Sequence, residues 1–356
     1  MNALLVTGTL TAMVAVLIAQ ILPIAMPTPS GGYGVGHSML GPIEADARAA
    51  TPLVEIWYPV VPAAPPGDEP RPVLIYLPGW VGTAIEDRFL IRDLVSHGFV
   101  VASLRYPAPS QMAADAIDEP VLRGETPGEM DFSSQSAFAA TLRRADDRAR
   151  ARARNVTALI DRLRQLNDDE DAPLAGRLDL DRIGVWGYSF GGAAAAQAAW
   201  QDRRIKAAAN LDGWLFAEAA AQGVPCPYLA VNDATPLPTE AELLAPDATQ
   251  RYTAILQRDD YERQLAGLKR HGGFLLMIDG TTHVNFSDNA LRFRSRRLTG
   301  AGPIDPRRSL VITAAYLRGF FDSVLLNHPA ALLQYNRSGY REAHLRIIRS
   351  ETGSAF

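Results

Sequence analysis

From about residue 51, short apolar runs alternate along the chain with stretches whose apolar residues recur at helical spacing. Apolar runs of roughly 4–8 residues, bounded by glycine, proline or aspartate, predict buried strands. Strands that alternate with helices predict an α/β fold, with a mostly parallel sheet flanked by helices. The predicted strands are LVEIWYPV, PVLIYLPG, FVVASLRYP, RIGVWG, IKAAANLD, CPYLAVND and GFLLMIDG.

The segment DRIGVWGYSFGG, residues 181–192, joins the fourth of these strands to an alanine-rich helix. Gly187, Ser189 and Gly191 have the Gly-x-Ser-x-Gly spacing of a nucleophile elbow, a tight bend that lifts a serine hydroxyl clear of the sheet. Glycine is needed at both flanks because a side chain there would collide with the neighbouring strand or helix. Ser189 is therefore predicted to be a nucleophile. A merely structural glycine–serine turn is the alternative.

A serine hydroxyl needs a base to accept its proton and a carboxylate to orient that base. His283 follows the last clear strand and lies beyond two strands that each end in an aspartate, as the chain order serine, acid, histidine requires. The two aspartates are Asp212 and Asp233. Catalytic groups gather at the carboxyl ends of strands in open α/β sheets, so both remain candidates for the acid.

An oxyanion formed on the substrate needs hydrogen-bond donors. One predicted donor is the backbone N–H of Phe190, directly after the nucleophile, and the other comes from the loop Pro78–Gly82, called the oxyanion loop below. Aromatic side chains near these donors predict an acyl pocket, although packing in the core is the commoner use of buried aromatics. The predicted pocket residues are Trp80, Phe190, Trp214 and Phe216.

Composition narrows the classes of function. The net charge of −4 gives no general attraction to nucleic acid. The arginine run RRADDRARARAR, residues 143–154, is interpreted as a solvated helix face, with a basic patch for anionic lipid as the alternative. The single cysteine, Cys226, lies between prolines before a strand and is expected to be a buried structural thiol. No cluster of metal ligands is apparent, so no metal or cofactor is expected.

The N-terminal residues 3–26 form one apolar run without a charged residue. A bilayer span takes about 20 residues, so this run is predicted to be a membrane anchor, and a cleaved export signal is the rival. The Pro/Gly/Ser-rich residues that follow indicate a linker and entry segment, 27–50. A catalytic domain, 51–326, and a C-terminal tail, 327–356, complete the predicted organisation.

Three motifs, GYSFGG, LDGWLF and GTTHVNFSD, occur in an order and spacing that resemble the platelet-activating factor acetylhydrolase family of α/β-hydrolases. The resemblance covers roughly residues 32–321 and implies the α/β-hydrolase fold. It implies Asp212 as the acid beside Ser189 and His283, and Trp80 and Phe190 as oxyanion donors. The chain departs from the family where histidine is common, namely at Pro78, before Gly79, and at Tyr188, before the nucleophile.

The expected activity is that of a serine esterase that cleaves short or oxidised acyl groups from phospholipids or related esters. A broader carboxylesterase or polyester hydrolase is the second hypothesis, since fold and triad do not determine the substrate. A membrane-tethered binding protein without catalysis is the third, and the complete set of three catalytic residue types disfavours it. The expected partners are a lipid or small ester and, through residues 3–26, a membrane. The oligomeric state stays open.

Overall fold

The computed structural model describes residues 20–43, 51–60, 69–82, 86–107, 130–334 and 339–351. Short 3₁₀ turns at His283–Phe286 and Asp288–Leu291 follow the eighth strand. The helices and strands are, in chain order, β1 (Gly34–Pro42), β2 (Leu53–Val60), β3 (Arg71–Leu77), α1 (Arg88–Ser96), β4 (Val100–Arg105), α2 (Gln135–Asp168), β5 (Leu178–Tyr188), α3 (Phe190–Gln201), β6 (Ile205–Leu211), α4 (Ala217–Gln222), β7 (Tyr228–Asn232), α5 (Glu240–Leu243), α6 (Ala248–His271), β8 (Gly273–Ile278), α7 (Arg296–Thr299), α8 (Pro306–Leu325), α9 (Ala331–Gln334) and β9 (Ala343–Ile348).

The described strands form one nine-stranded sheet in the order β1-β2-β4-β3-β5-β6-β7-β8-β9. Strands β3 to β8 are parallel to one another, while β1, β2 and β9 pair antiparallel. The chain order reverses between β3 and β5, because β4 pairs with the opposite side of β3. Ligands of open α/β sheets bind beyond the carboxyl ends of strands at such a reversal. The mostly parallel α/β architecture predicted from the sequence is confirmed.

The sheet separates two hydrophobic cores. On one face, α2 and α3 pack with apolar side chains such as Val156, Leu159 and Ile160 against the strands. On the other face, α1 and α8 contribute side chains such as Phe89 and Phe320. Helix α3 is rich in alanine, and its small, fully buried side chains let the helix pack closely against both β5 and α2.

The sheet extends beyond the predicted limits of the catalytic domain, 51–326. Strand β1 lies within residues 27–50, the predicted linker and entry segment, and it pairs with β2 along its length. Strand β9 lies within the predicted tail, 327–356, and pairs with β8. Both segments pair for the same physical reason: each hydrogen-bonds to an otherwise open edge of the sheet.

The predicted anchor, residues 3–26, is described only from Gln20 onward, and residues 1–19 lie outside the described part. Backbone N–H groups of Ser295 and Arg294 donate to the carbonyls of Gln20 and Leu22, at 3.0 and 2.9 Å. The N–H of Ile24 donates to the carbonyl of Leu291 at 2.8 Å. The end of the apolar run therefore packs on the folded domain. Within the described ranges, no helix combines the length and apolar character needed to cross a membrane.

Candidate active site

Ser189 occupies a strained bend between β5 and α3. Its backbone has φ 56° and ψ −129°, a left-handed conformation that is uncommon for a residue with a side chain. Its N–H donates to the carbonyl of Leu211 on the neighbouring strand, at 2.8 Å. A Cβ on Gly187 would collide with the backbone of Gly191, and a Cβ on Gly191 would collide with the carbonyl of Leu77. The predicted elbow geometry is therefore present, with glycine where the backbones approach most closely.

Ser189, His283 and Asp212 lie together at the carboxyl edge of the sheet. The Oγ of Ser189 is 2.9 Å from Nε2 of His283, and Nδ1 of His283 is 2.6 Å from Oδ2 of Asp212. The three residues follow β5, β8 and β6, respectively. Nearly half of the imidazole surface is exposed, at 46%, whereas the Asp212 side chain is 14% exposed. This arrangement allows the serine proton to pass to a histidine that a carboxylate orients.

The two candidate acids have different contacts. Oδ2 of Asp212 faces His283, and its Oδ1 accepts a hydrogen bond from the backbone N–H of Asp233 at 2.8 Å. The carboxylate of Asp233 instead accepts from the backbone N–H and the hydroxyl of Thr235, at 2.9 and 2.8 Å. Asp233 therefore caps its own turn, and its main chain supports the carboxylate of Asp212.

The surroundings of His283 favour its charged form. Burial lowers the pKa of the imidazole, but the hydrogen bond to Asp212 and the negative charges of Asp212, Asp233 and Glu86 outweigh it, so the pKa is raised above its usual value. The ring of Tyr188 stacks on the imidazole with centroids 4.8 Å apart. Tyr188 replaces the histidine common in the resembling family, and here it forms an apolar wall behind the base.

The oxyanion loop lies between the elbow and helix α2. A Cβ on Gly79 would meet the Cβ of Ser189 at 3.6 Å, an ordinary van der Waals contact. The N–H of Gly79 donates to Oε2 of Glu86 at 2.9 Å. Burial raises the pKa of that carboxyl, although the bond from Gly79 and the charges of Arg152 and His283 oppose the rise.

The predicted aromatic pocket divides into two parts. Phe190 and Phe216 are 3% and 4% exposed and pack with Ala145 and Ala149 of α2, so they belong to a packed cluster. Trp80 and Trp214 are only half-buried and border that cluster. Trp80 meets Phe190 edge-on, with centroids 4.7 Å apart. The structure thus leaves two tryptophans, rather than four aromatics, with surface available to a substrate.

The interpretation of the arginine run as a solvated face was wrong for Arg152, which is 1% exposed and donates to carbonyls of the oxyanion loop. Arg148, half-buried, donates to the same loop. Glu86 is a third residue at this loop, besides Arg148 and Arg152, that the sequence alone did not identify. One signal was present: Arg152 falls among the buried residues Ala149, Ala153 and Val156, and therefore on the apolar stripe of its helix.

A parallel sheet with this strand order, an elbow serine after β5 and a histidine after β8 together define an α/β-hydrolase. Residues 138–253 match a family model described as PETase, PET hydrolase-like. A platelet-activating factor acetylhydrolase of Canis lupus familiaris is 28% identical over 216 residues, which are 55% of this chain and 43% of that protein. The match therefore spans less than half the length of that relative.

A ferulic acid esterase from Streptomyces cinnamoneus has a similar solved structure, with a TM-score of 0.66 and 23% sequence identity. That likeness covers 92% of this chain and 100% of the other, and it establishes the shared fold. The family model and the acetylhydrolase are thus similar to this chain in sequence, in agreement with the resemblance of its motifs, and the esterase structure shares its fold.

Proposed function

We propose that this chain is a serine esterase that acts through an acyl-enzyme, with Ser189, His283 and Asp212 as its triad. The observation that carries the proposal is the continuous pair of hydrogen bonds, 2.9 and 2.6 Å long, from the serine hydroxyl through the imidazole to the carboxylate. The backbone N–H groups of Trp80 and Phe190 are the proposed oxyanion donors.

In the first half-reaction, Nε2 of His283 accepts the proton of Ser189 as Oγ attacks the ester carbonyl carbon. The carbonyl oxygen becomes an oxyanion that the two backbone donors stabilise. His283 then gives the proton to the departing alcohol, and the C–O bond to that alcohol breaks. Water, deprotonated by the same imidazole, attacks the acyl carbon of the acyl-enzyme. The bond from that carbon to Oγ of Ser189 then breaks, His283 returns the proton to Oγ, and the carboxylic acid is released. Asp212 stabilises the imidazolium formed in both steps.

The proposed substrates are short or oxidised acyl esters of phospholipids. The platelet-activating factor acetylhydrolase relative and the shared motifs around residues 182–216 support this class. Two half-buried tryptophans, Trp80 and Trp214, are the proposed walls of an apolar but short acyl site. Each buried methylene adds about 0.8 kcal/mol until the site is full, after which steric overlap reverses the gain.

A broader carboxylesterase or polyester hydrolase is the second candidate. The PET hydrolase-like family model supports it, because the matched residues 138–253 include the elbow, the proposed acid and Trp214. The two candidates share one mechanism and differ in the shape of the acyl and alcohol sites, which the catalytic geometry does not determine.

A substrate panel separates these candidates. The full-length protein is assayed with phospholipids bearing 2-acyl chains from acetyl to palmitoyl, with aryl esters of the same acids, and with a soluble aromatic polyester oligomer. We expect kcat/KM on the phospholipids to peak between acetyl and about hexanoyl. A value that rises through palmitoyl contradicts the short site. If aryl or polyester substrates are turned over rapidly while the phospholipids are not hydrolysed, the result supports the second candidate instead.

We also propose that residues 3–26 associate the protein with a membrane. The described end of this run is hydrogen-bonded to residues 291–295, which include the end of the second 3₁₀ turn after His283 and the residues that follow it. This attachment supports placement of the catalytic edge near lipid. The full-length protein should remain with membranes after a high-salt wash. A mature N-terminus found near Pro27 would contradict the anchor and favour a cleaved signal.

A further inference from the structure

The guanidinium of Arg152 is buried against the backbone of the oxyanion loop. Its Nη1 donates to the carbonyls of Pro78 and Gly79, at 2.7 and 2.9 Å, and its Nη2 donates to the carbonyl of Trp80 at 3.2 Å. Arg152 lies on α2, more than seventy positions away along the chain. A single buried cation therefore contacts three consecutive carbonyl groups of the loop beside Ser189.

These contacts determine where the N–H groups of the loop point. The peptide bonds of the described loop are trans. In a planar trans peptide, the carbonyl of one residue and the N–H of the next point in opposite directions. When the carbonyl of Gly79 faces Arg152, the N–H of Trp80 must face away from α2. The N–H of Gly79 itself donates to Glu86, so it is already engaged.

Arg148 adds a second contact one helical turn earlier. Its Nη2 donates to the carbonyl of Trp80 at 2.7 Å, and its guanidinium lies over the indole ring at 4.3 Å from the centroid. Residues four apart share one face of a helix. On this face Ala145 and Ala149 are fully buried, and their small side chains let α2 approach closely enough for both arginines to reach the loop.

We propose that Arg148 and Arg152 act as an arginine clamp, a pair of positioning residues that aim the Trp80 N–H at the oxyanion. The inference rests on the proposed esterase function and assigns the orientation of its second oxyanion donor to side chains of α2. The clamp also strengthens that donor, because hydrogen bonds to a peptide carbonyl polarise the peptide and hydrogen bonds in a chain reinforce one another. Neither arginine is assigned a contact with substrate.

The variants are Arg152→Met, which removes every donor while retaining a long side chain, Arg152→Lys, which retains the charge without the planar fork, and Arg148→Met. Arg164→Met is the matched control, since Arg164 is exposed on the same helix. Each protein is assayed for kcat and KM with p-nitrophenyl acetate. Each is also tested with a trifluoromethyl ketone, which forms an oxyanion on the nucleophile, and with the corresponding methyl ketone, which serves as a ground-state ligand.

Loss of one oxyanion donor lowers kcat by about 10²–10³, so Arg152→Met should show a loss of that size with KM changed by less than about threefold. Affinity for the trifluoromethyl ketone should fall in parallel, while the methyl ketone binds as before. Arg148→Met should lose about tenfold in kcat, Arg152→Lys should be intermediate, and the control should match wild type. A merely structural role would lower the melting temperature without separating the two ketones.

A folded Arg152→Met protein with kcat within threefold of wild type would overturn the clamp. If that variant does not fold, Arg148→Met decides, because its side chain is only half-buried: unchanged kcat and unchanged ketone discrimination would overturn the proposal. An inactive wild type with no affinity for the trifluoromethyl ketone would instead refute the esterase function itself. Active wild type with unaffected arginine variants refutes the clamp alone.

Discussion

Replacement of Asp212 by asparagine tests how the triad orients its base. The carboxylate lies 2.6 Å from Nδ1 of His283 and carries the charge that stabilises the imidazolium of the transition state. Opposite charges about 4 Å apart interact by about 4 kcal/mol at an effective dielectric constant of about 20. Since about 1.4 kcal/mol corresponds to tenfold in rate, the lost attraction alone lowers kcat by about 10³.

The asparagine has a second effect. Its amide can present N–H to Nδ1 of His283, which moves the ring proton to Nε2 and leaves no acceptor for the hydroxyl of Ser189. With both effects we expect a loss of about 10⁴ in kcat, the size seen when this carboxylate is replaced in serine protease triads. Asp212→Asn also removes the hydrogen bond and charge that raise the pKa of His283, so the acid limb of kcat/KM should move to lower pH.

The sign follows from the role of the base. Only neutral His283 accepts the serine proton, so activity of wild type falls as pH drops through the raised pKa. The control is Asp233→Asn, which keeps the backbone N–H that donates to Asp212. It removes a charge that raises the pKa of His283 less than the charge of Asp212 does. It should retain nearly normal kcat, with a small shift of the same limb. The assay is the pH dependence of p-nitrophenyl acetate hydrolysis. An inactive Asp233→Asn beside an active Asp212→Asn would refute the assignment.

Two further predictions concern Tyr188 and Cys226. Tyr188→Phe preserves the ring stacked on His283, so its kcat should match that of wild type. Tyr188→Ala should lower kcat twofold to tenfold, because such an aromatic pair contributes about 0.5–1.5 kcal/mol. Equal kcat in both variants would contradict this role of the ring. Burial raises the pKa of the Cys226 thiol to about 12, so iodoacetamide at pH 8 should leave activity unchanged, and rapid inactivation would contradict a structural role.

Much of the site was predictable because its determinants are local. The elbow is encoded in five consecutive positions, and the order of serine, acid and histidine along the chain follows the order of the strands. The choice between Asp212 and Asp233 was not local. Both end a strand, and only the three-dimensional contacts direct one carboxylate to His283 and the other to Thr235.

The remaining features depend on contacts between distant segments. Strand β1 contains three glycines, and in strand β9 the polar residues His344 and Arg346 separate the apolar ones. Neither strand therefore has a continuous apolar run, yet each pairs with an edge of the sheet. Arg152 is one of six arginines within twelve residues, and its burial depends on how α2 meets a loop far earlier in the chain. Because α2 packs in this way, Phe190 and Phe216 are buried against it and do not line an open pocket.

The most direct test of the account is labelling by a fluorophosphonate, which reacts with activated serine nucleophiles. After digestion, mass spectrometry should place the probe on Ser189 of the wild-type protein. Ser189→Ala should carry no label and should lose about 10⁴-fold or more in kcat while it remains folded. Label on a different residue of wild type, or equal labelling of both proteins, would contradict Ser189 as the nucleophile and with it the proposed esterase mechanism.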